Sequence, residues 1–129
     1  MPKDKSTEPS KQYCRTLGYE VIDIMNDGQT YADRNGKQRG KKNLGCDFWR
    51  KKNGQTQSVE AKCKLGNMAS LVPHQVDRLI EGGVLIIWNE RENSFRELLW
   101  NNIKNRDDIL ECLKVKNGRS TIGLLRLYY

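Results

Sequence analysis

Three charged residues in one short stretch have the types and the spacing that chemistry on a phosphate requires. Twelve residues separate Asp47 from Glu60, and Lys62 follows Glu60 by two. Mg²⁺ is usually held by one or two carboxylates, with waters and phosphates completing its shell. A lysine amine beside such an ion orients a water or meets the negative charge that develops on a phosphate. These residues therefore predict a divalent-cation site, on condition that the fold brings the two acids together.

A predicted β-hairpin supplies that condition. Asn53-Gly54 lies between two extended runs, and this dipeptide is the strongest short-range signal for a two-residue hairpin turn. Counting back along both arms places Asp47 directly opposite Glu60, with Lys62 on the same side because side chains alternate along a strand. Two like charges that face each other across a strand pair are destabilising. Their repulsion is a second reason to expect a cation, although a one-residue slip of the register would separate them.

The two faces of this hairpin differ in composition. Val59, Ala61 and Cys63 alternate with the charged residues of the second arm and are small and apolar, as a strand packed on a helix requires. We therefore expect one core face and one chemical face. Trp49 falls opposite Ser58 on the chemical face, where its ring either stacks on a base or covers the sheet.

The surrounding segments predict an α/β (α+β) protein with a mixed central sheet flanked by helices. A first helix begins at Thr7-Glu8-Pro9 and ends at Gly18, and a second begins at Pro73 and ends at Gly82-Gly83. The run GVLIIW (83–88) is unbroken and apolar, which indicates a strand covered on both faces. The other predicted elements are a strand from Tyr19, an ambiguous strand or turn at 94–100, a helix at 106–114 and a strand at 121–129.

A basic connection over residues 27–43 precedes the hairpin. Loops of this length inside a compact domain are usually functional or disordered, so we expect a mobile segment that a polyanion orders on binding. An ordinary solvated loop is the alternative. The hairpin residues Arg50, Lys51 and Lys52 are expected to extend the same phosphate-contacting surface. The cations of the connection are Arg34, Lys37, Arg39, Lys41 and Lys42.

Composition limits the class of protein. The chain has 129 residues, which fits a single domain over 1–129, and 23 Lys and Arg against 16 Asp and Glu give a net charge of +7. Such a charge indicates a polyanionic partner, either nucleic acid or an acidic membrane surface. The longest apolar run, 84–88, is too short to span a membrane, and MPKDKSTEPSK has no signal-peptide core, so we expect a cytoplasmic protein. The four cysteines form no C-x-x-C pair, which predicts free thiols rather than a zinc site.

The pattern Asp47, twelve residues, Glu60, Ala61, Lys62 on a hairpin resembles the PD-(D/E)XK nuclease superfamily, with Cys46 in the place of the customary proline. The preceding helix and strand and the following helix and apolar strand match the order of that superfamily over about residues 5–90. The resemblance implies a restriction-endonuclease-like αβββαβ core, which residues 91–129 extend. It also implies Mg²⁺ or Mn²⁺ bound by Asp47, Glu60 and the backbone carbonyl of Ala61, with Lys62 orienting or activating the attacking water.

The resemblance implies two further site residues. Gln75, at the start of the second helix, is similar to a glutamine of Holliday junction resolvases and of virus-type replication-repair nuclease modules, and would position the site or the scissile phosphate. The superfamily often draws an acid from the first helix; Glu8 is at the matching distance, and Glu20 is a rival. Glu8 also has a structural explanation, since an acid in the first turn complements the helix dipole. His74 is expected to be a surface or capping residue.

The activity that the resemblance implies is metal-dependent hydrolysis of DNA phosphodiester bonds by an endonuclease, as in DNA recombination and repair. Because no separate sequence-reading domain is evident, recognition is expected to depend on shape and phosphate charge. This favours a structure-selective, junction-resolvase-like enzyme that acts on duplex or branched DNA as a homodimer, with 121–129 as a candidate interface. The alternatives are a restriction-type or end-processing nuclease and, outside enzymes, a non-catalytic nucleic-acid-binding module on the same fold.

Overall fold

The computed structural model describes residues 5–23, 30–32, 38–40, 46–116 and 123–129. Within these ranges, no helix is long and apolar enough to cross a membrane. The elements are α1 (Thr7–Thr16), β1 (Glu20–Asp23), β2 (Thr30–Ala32), β3 (Gln38–Gly40), β4 (Phe48–Lys52), β5 (Gln55–Cys63), β6 (Met68–Leu71), α2 (Pro73–Ile80), β7 (Val84–Asn89), β8 (Ser94–Leu98), a 3-10 turn (Trp100–Asn102), α3 (Arg106–Lys116) and β9 (Leu125–Tyr128).

Five of the described strands form a central sheet in the order β1-β4-β5-β7-β8. β5 and β7 are parallel, and α2 lies in the connection between them, because strands that run in the same direction need a crossover. The other neighbouring pairs of this sheet are antiparallel. The predicted mixed sheet flanked by helices is therefore confirmed.

The register of the hairpin is the predicted one. Phe48 pairs with Val59. One residue further from the turn on each arm, Asp47 faces Glu60. Asn53 and Gly54 both have positive φ, 54° and 79°, as a type I′ turn requires. Few residue types accept such backbone angles, so the dipeptide determines the turn and the turn determines the register.

Strand β7 of the central sheet is buried on both faces. β7 contributes Val84 and Ile86 to a core on the α1 side and Leu85 and Ile87 to a core on the α2 side, and each of the four is at most 3% exposed. The prediction of a strand covered on both faces is confirmed. The core on the α1 side consists of Cys14, Phe48, Val59, Val84 and Ile86. The core on the other side joins α2 to β6, α3 and β9 through Leu71, Val76, Leu79, Ile109 and Leu127.

The C-terminal region divides between two sheets. Within 91–129, the segment expected to extend the sheet, β8 joins the central sheet beside β7. β9 instead pairs with β6 in a two-stranded sheet, and β6 was not predicted, since its sequence MASL has no β-branched residue. The inward side chains of this ribbon belong to the core on the α2 side, so burial of apolar side chains explains the pairing. They are Ala69, Leu71, Leu125 and Leu127.

The basic connection lies mostly outside the described residues. Two short antiparallel strands, β2 and β3, pair within it, where an irregular loop was expected. For Arg39 the structure describes the backbone, in β3. The other cations predicted to contact phosphate there lie outside the described residues: Arg34, Lys37, Lys41 and Lys42.

Candidate active site

Asp47 lies at the end of the hairpin, where the pairing of β4 with β5 stops. Its backbone N–H donates to the carbonyl of Val59 at 3.0 Å, and its Oδ2 accepts a hydrogen bond from the N–H of Ala61 at 2.8 Å. The carboxylate thus satisfies a backbone donor of β5 that has no strand partner on this side. The structure therefore brings Asp47 against the peptide that links Glu60 to Ala61.

Glu60 is a buried carboxylate, with 8% of its surface exposed. It pairs with Leu85 in the sheet, and Gln75 of α2 donates to its Oε1 at 2.8 Å. The Nζ of Lys62 lies 3.7 Å from the same oxygen. Burying a carboxylate is costly unless it is paired and hydrogen-bonded, and these two groups offset that cost. They explain how an acid is tolerated on a strand face that a helix covers.

Gln75 connects the start of α2 to Glu60. Its Oε1 accepts a hydrogen bond from the N–H of Val72 at 3.0 Å, and its Nε2 donates to Glu60 at 2.8 Å. A backbone N–H can only donate, so the amide oxygen must face Val72 and the amide nitrogen must face the carboxylate. Pro73 starts the helix at a position where its missing N–H costs nothing. Both ends of the Gln75 amide are therefore held, and its orientation is fixed.

A small cavity between the hairpin and α2 opens beside Glu60, with Cys46 and Ser58 in its wall. Gly83 is required there, because a Cβ at this position would come closer than 3.0 Å to Ser58 Oγ and to the carbonyl oxygen of Arg78. Burial, and then the negative charge of Glu60, raise the pKa of Cys46 to about 12, so its thiol is protonated at neutral pH. The four cysteines are free, as predicted.

Arg78 belongs to the same face and was not predicted from the sequence. Its guanidinium carbon lies 5.5 Å from the centre of the Trp49 ring, and its Nη1 lies 3.2 Å from Glu81 Oε2. Arg78 follows Gln75 by three residues, so the two side chains share one side of α2. That spacing, on a helix already predicted from Pro73, is the signal that identifies it. The guanidinium of Arg78 therefore lies over the ring of Trp49.

Glu8 lies on the exposed side of α1, with 65% of its side chain accessible, and Lys11 Nζ is 3.4 Å from its Oε1. Lys11 also binds Asp23 Oδ1 at 2.8 Å. Burial lowers the pKa of Lys11, but the hydrogen bond and the charge of Asp23 outweigh it, so that pKa is raised overall. The described partner of Glu8 is thus a lysine of its own helix.

Two other acids, Glu20 and Asp23, lie at opposite ends of β1. Glu20 pairs with Lys51 close to the hairpin turn, whereas Asp23 pairs with Phe48, the residue that follows Asp47. Three residues of extended strand, about 10 Å, lie between the two acids. Asp23 is therefore at the Asp47 end of the hairpin, and Glu20 is at the opposite end. Asp23 was not predicted, because the register of β1 against β4 depends on a long connection.

Arg50, expected on the phosphate-contacting surface, is instead buried on the α1 side of the sheet. It is 3% exposed, and its guanidinium donates to Glu97 Oε1 at 2.7 Å and to Gln57 Oε1 at 2.9 Å. The hydroxyl of Tyr13 donates to the other oxygen of Glu97 at 2.8 Å. Alternation along β4 places Arg50 on the same side as Phe48, which is a core residue, so the expected phosphate contact was wrong. Arg50 is a structural cation that joins β4 to β8.

The same buried network shifts the pKa values of Tyr13 and Glu97 in opposite directions. Burial, reinforced by the hydrogen bond to Glu97, raises the pKa of Tyr13 to about 12. Burial also raises the pKa of Glu97, but hydrogen bonds from Arg50 and Tyr13 outweigh it and lower that pKa overall. Neutral Tyr13 and ionised Glu97 are therefore the forms that the folded protein favours.

The donors gathered at the hairpin end suit a hard divalent cation. The carboxylates of Asp47 and Glu60 and the carbonyl of Ala61 are oxygen donors, which Mg²⁺ and Mn²⁺ prefer. In the part of the chain that the structure describes, no group of three His, Cys, Asp or Glu side chains is placed to hold a metal ion. Mg²⁺ needs fewer, because waters and substrate phosphates complete its shell. The arrangement therefore fits Mg²⁺ or Mn²⁺ better than an all-protein cage for zinc.

No family model matches the chain, and no curated protein matches it. Among solved structures, the chain is similar to Archaeoglobus fulgidus Hjc, a Holliday junction resolvase from an archaeal hyperthermophile, with a TM-score of 0.54 over 78% of this chain and 79% of that chain. The chain has a resolvase-type fold. At 10% identity the likeness concerns the fold alone, and it supports the predicted restriction-endonuclease-like architecture.

Proposed function

We propose that this chain is a Mg²⁺- or Mn²⁺-dependent endonuclease that hydrolyses DNA phosphodiester bonds and prefers branched DNA. The observation that carries the proposal is a buried Glu60, held by Gln75 and lying beside Asp47 and Lys62 at one end of a hairpin. The resolvase-type fold and the net charge of +7 support it, because a basic protein attracts a polyanionic substrate.

The proposed metal ligands are Asp47, Glu60 and the backbone carbonyl of Ala61. When bound, the cation would polarise the scissile phosphate and make a water more acidic. Asp47 and Glu60 occupy facing positions at the open end of the hairpin, which supports a cation site shared by both carboxylates. The hydrogen bond from the Ala61 N–H to Asp47 keeps the first carboxylate in place against the strand that carries the second.

Lys62 is proposed to orient the attacking water and to stabilise the negative charge that develops on the phosphate. Its Nζ lies 3.7 Å from Glu60 Oε1, and 27% of its side chain is exposed, so the side chain contacts the acid and is partly accessible to solvent. A fixed cation at this place costs no reorganisation when charge develops.

Gln75 is proposed as a positioning residue that acts through Glu60. Its amide orients one carboxylate oxygen, and because its own oxygen is bonded to Val72, the amide cannot turn away without losing the helix cap. Glu8 is proposed as a further acid of the site, reached from α1. Lys11, which contacts Glu8 and Asp23, would then set the charge balance at that edge of the sheet.

Substrate recognition is proposed to depend on phosphate charge and DNA shape. A homodimer that presents two sites to two strands is part of the proposal, and light scattering of the purified protein measures that state directly. The proposed phosphate contacts in the basic connection are Arg34, Lys37, Arg39, Lys41 and Lys42.

A cleavage panel tests the proposal. Labelled single strand, linear duplex, flap and four-way junction are incubated with the protein in Mg²⁺ and in Mn²⁺. We expect symmetric cuts in the junction and little cutting of linear duplex. Cutting of linear duplex at a defined sequence would indicate a restriction-type enzyme, and cutting at flaps or ends would indicate an end-processing enzyme. Binding in Ca²⁺ without cleavage of any substrate would indicate a non-catalytic module.

A further inference from the structure

An open groove of about 630 Å³ lies at the carboxyl ends of the parallel strands β5 and β7. Ligands of α/β proteins commonly bind outside the carboxyl ends of parallel strands. Cys63, the residue after Lys62, belongs to the wall of the groove. Side chains alternate along a strand, so Cys63 and Trp88 face the α1 side of the sheet, whereas Lys62 faces the α2 side. The groove and the candidate active site therefore share the carboxyl end of β5 but lie on opposite faces of the sheet.

The charge of this groove is positive. Lys5 Nζ lies 2.7 Å from Glu90 Oε2, so the acid in the wall already has a cationic partner. Lys64 and Arg91 are exposed in the same wall, and no carboxylate of the described residues lies within ion-pair distance of either. These two charges are available to an anionic ligand.

Trp88 gives the groove an aromatic wall. Its Nε1 donates to Asn93 Oδ1 at 3.1 Å, and Phe95 is its cross-strand partner on β8, so the indole has a fixed place. The backbone N–H of Lys64 donates to the backbone carbonyl of Trp88 at 2.8 Å, which holds the main chain of Lys64 against the end of β7. Proteins bind single-stranded nucleic acid with this combination, in which bases stack on aromatic rings while cations follow the phosphates.

We propose that the groove binds a single-stranded segment of the DNA substrate, with a base stacked on Trp88 and phosphates on Lys64 and Arg91. An aromatic ring can stack on a base only where that base no longer stacks on its neighbours in the DNA. The bases of an intact duplex therefore cannot stack on Trp88. The inference rests on the proposed function, because a strand that leaves the groove around the carboxyl end of β5 would bring its next phosphates to the Lys62 side of the sheet. It adds a substrate class: DNA with an unpaired or opened arm next to the cleaved bond.

Intrinsic tryptophan fluorescence during titration with oligothymidylate tests the proposal, in Ca²⁺ so that binding is measured without cleavage. The parent should show quenching. Trp88→Phe should lose the quenching and retain most of the affinity, while Trp88→Leu should weaken binding about five-fold or more through loss of stacking. Trp100→Phe is the matched control and should keep the quenching. Quenching that disappears in Trp49→Phe and persists in Trp88→Phe would overturn the proposal, as would a parent that binds no oligothymidylate.

Salt dependence tests the two cations. Combined Lys64→Ala and Arg91→Ala should reduce the slope of log affinity against log salt by about 1.4 for single-stranded DNA, since each phosphate contact contributes about 0.7. The control, Lys104→Ala with Lys114→Ala, removes two exposed cations outside the groove and should leave the slope unchanged. If the variant that lacks Lys64 and Arg91 still cuts junctions and its slope of log affinity against log salt is unchanged, the proposed role of the groove is refuted and the proposed function is not. A parent that binds oligothymidylate as expected but cuts no substrate would overturn the proposed function alone.

Discussion

Replacing Gln75 by methionine tests the link between α2 and the candidate active site. Methionine has a similar length and no strong hydrogen-bonding atom, so the change removes two hydrogen bonds with little change of volume. The bond to Glu60, at 2.8 Å, involves a charged group and contributes about 1.5–3 kcal/mol. The bond from the Val72 N–H, at 3.0 Å, contributes about 0.5–1.5 kcal/mol. We therefore expect the free energy of unfolding, measured by urea denaturation, to fall by about 2–4.5 kcal/mol.

The same variant should also lose activity. Removing a partner that orients a metal ligand typically lowers metal affinity or activity about 10- to 100-fold, and we expect a loss of this size in the single-turnover cleavage rate of Gln75→Met. Saturating Mn²⁺ should restore part of the rate, because the proposed ligand, Glu60, is intact. Parent-like stability together with a parent-like rate would refute the role given to the bond between Gln75 and Glu60.

A matched variant, Gln75→Glu, separates the helix cap from the contact with the acid. Its carboxylate keeps an oxygen for the Val72 N–H, but it places a second negative charge against Glu60. Two adjacent carboxylates share a proton at low pH and repel when both are ionised, so the stability of Gln75→Glu relative to the parent should fall as the pH rises above about 5. A divalent cation should raise its melting temperature more than that of the parent. If the stability difference between Gln75→Glu and the parent does not change with pH, Gln75 stabilises the protein only through its hydrogen bond to the Val72 N–H.

Two further predictions concern the support of the hairpin. The pKa of Tyr13 is raised from 10.0 to about 12 in the folded protein, so its neutral form contributes stability below pH 10 that is lost as the pH rises from about 10 to 12. The difference in unfolding free energy between the parent and Tyr13→Phe should shrink over that interval in urea denaturation, and a constant difference would contradict the hydrogen bond to Glu97. Gly83→Ala should lower the unfolding free energy by about 1–3 kcal/mol, because the new Cβ would overlap Ser58 Oγ. Gly123→Ala, where a Cβ meets nothing within 4 Å, is its control, and equal stability of the two variants would contradict this close packing.

Local sequence signals were sufficient for the hairpin and its flanking elements. Asn53-Gly54 predicted the register because two consecutive positive φ values admit few residue types. The apolar run 83–88 predicted a strand covered on both faces for an equally local reason, since no side of it is polar. The pairing of β6 with β9 could not be predicted, because two short strands far apart in sequence carry no mark of their partner. Their pairing depends on the apolar core on the α2 side that they cover together.

Spacing predicted that Asp47 would lie against Glu60, but it could not predict what holds the acid. The hydrogen bond from Gln75 depends on how α2 packs on the sheet, which is a tertiary property. Asp23 reaches the same end of the sheet through a register that no turn signal specifies. The burial of Arg50, in contrast, could have been predicted from the sequence. Simple alternation along β4 places Arg50 on the core side with Phe48, whereas the prediction grouped it with the exposed cations.

Junction cleavage by Glu60→Gln is the most direct test of the central claim, that the hairpin carboxylates hold the cation required for hydrolysis. The substitution preserves shape and removes the charge. We expect its single-turnover cleavage in Mg²⁺ and Mn²⁺ to fall to background while binding to the junction in Ca²⁺ persists. The control Glu111→Gln, an exposed acid on α3, should cleave at the rate of the parent. Cleavage by Glu60→Gln at the parent rate would contradict the account.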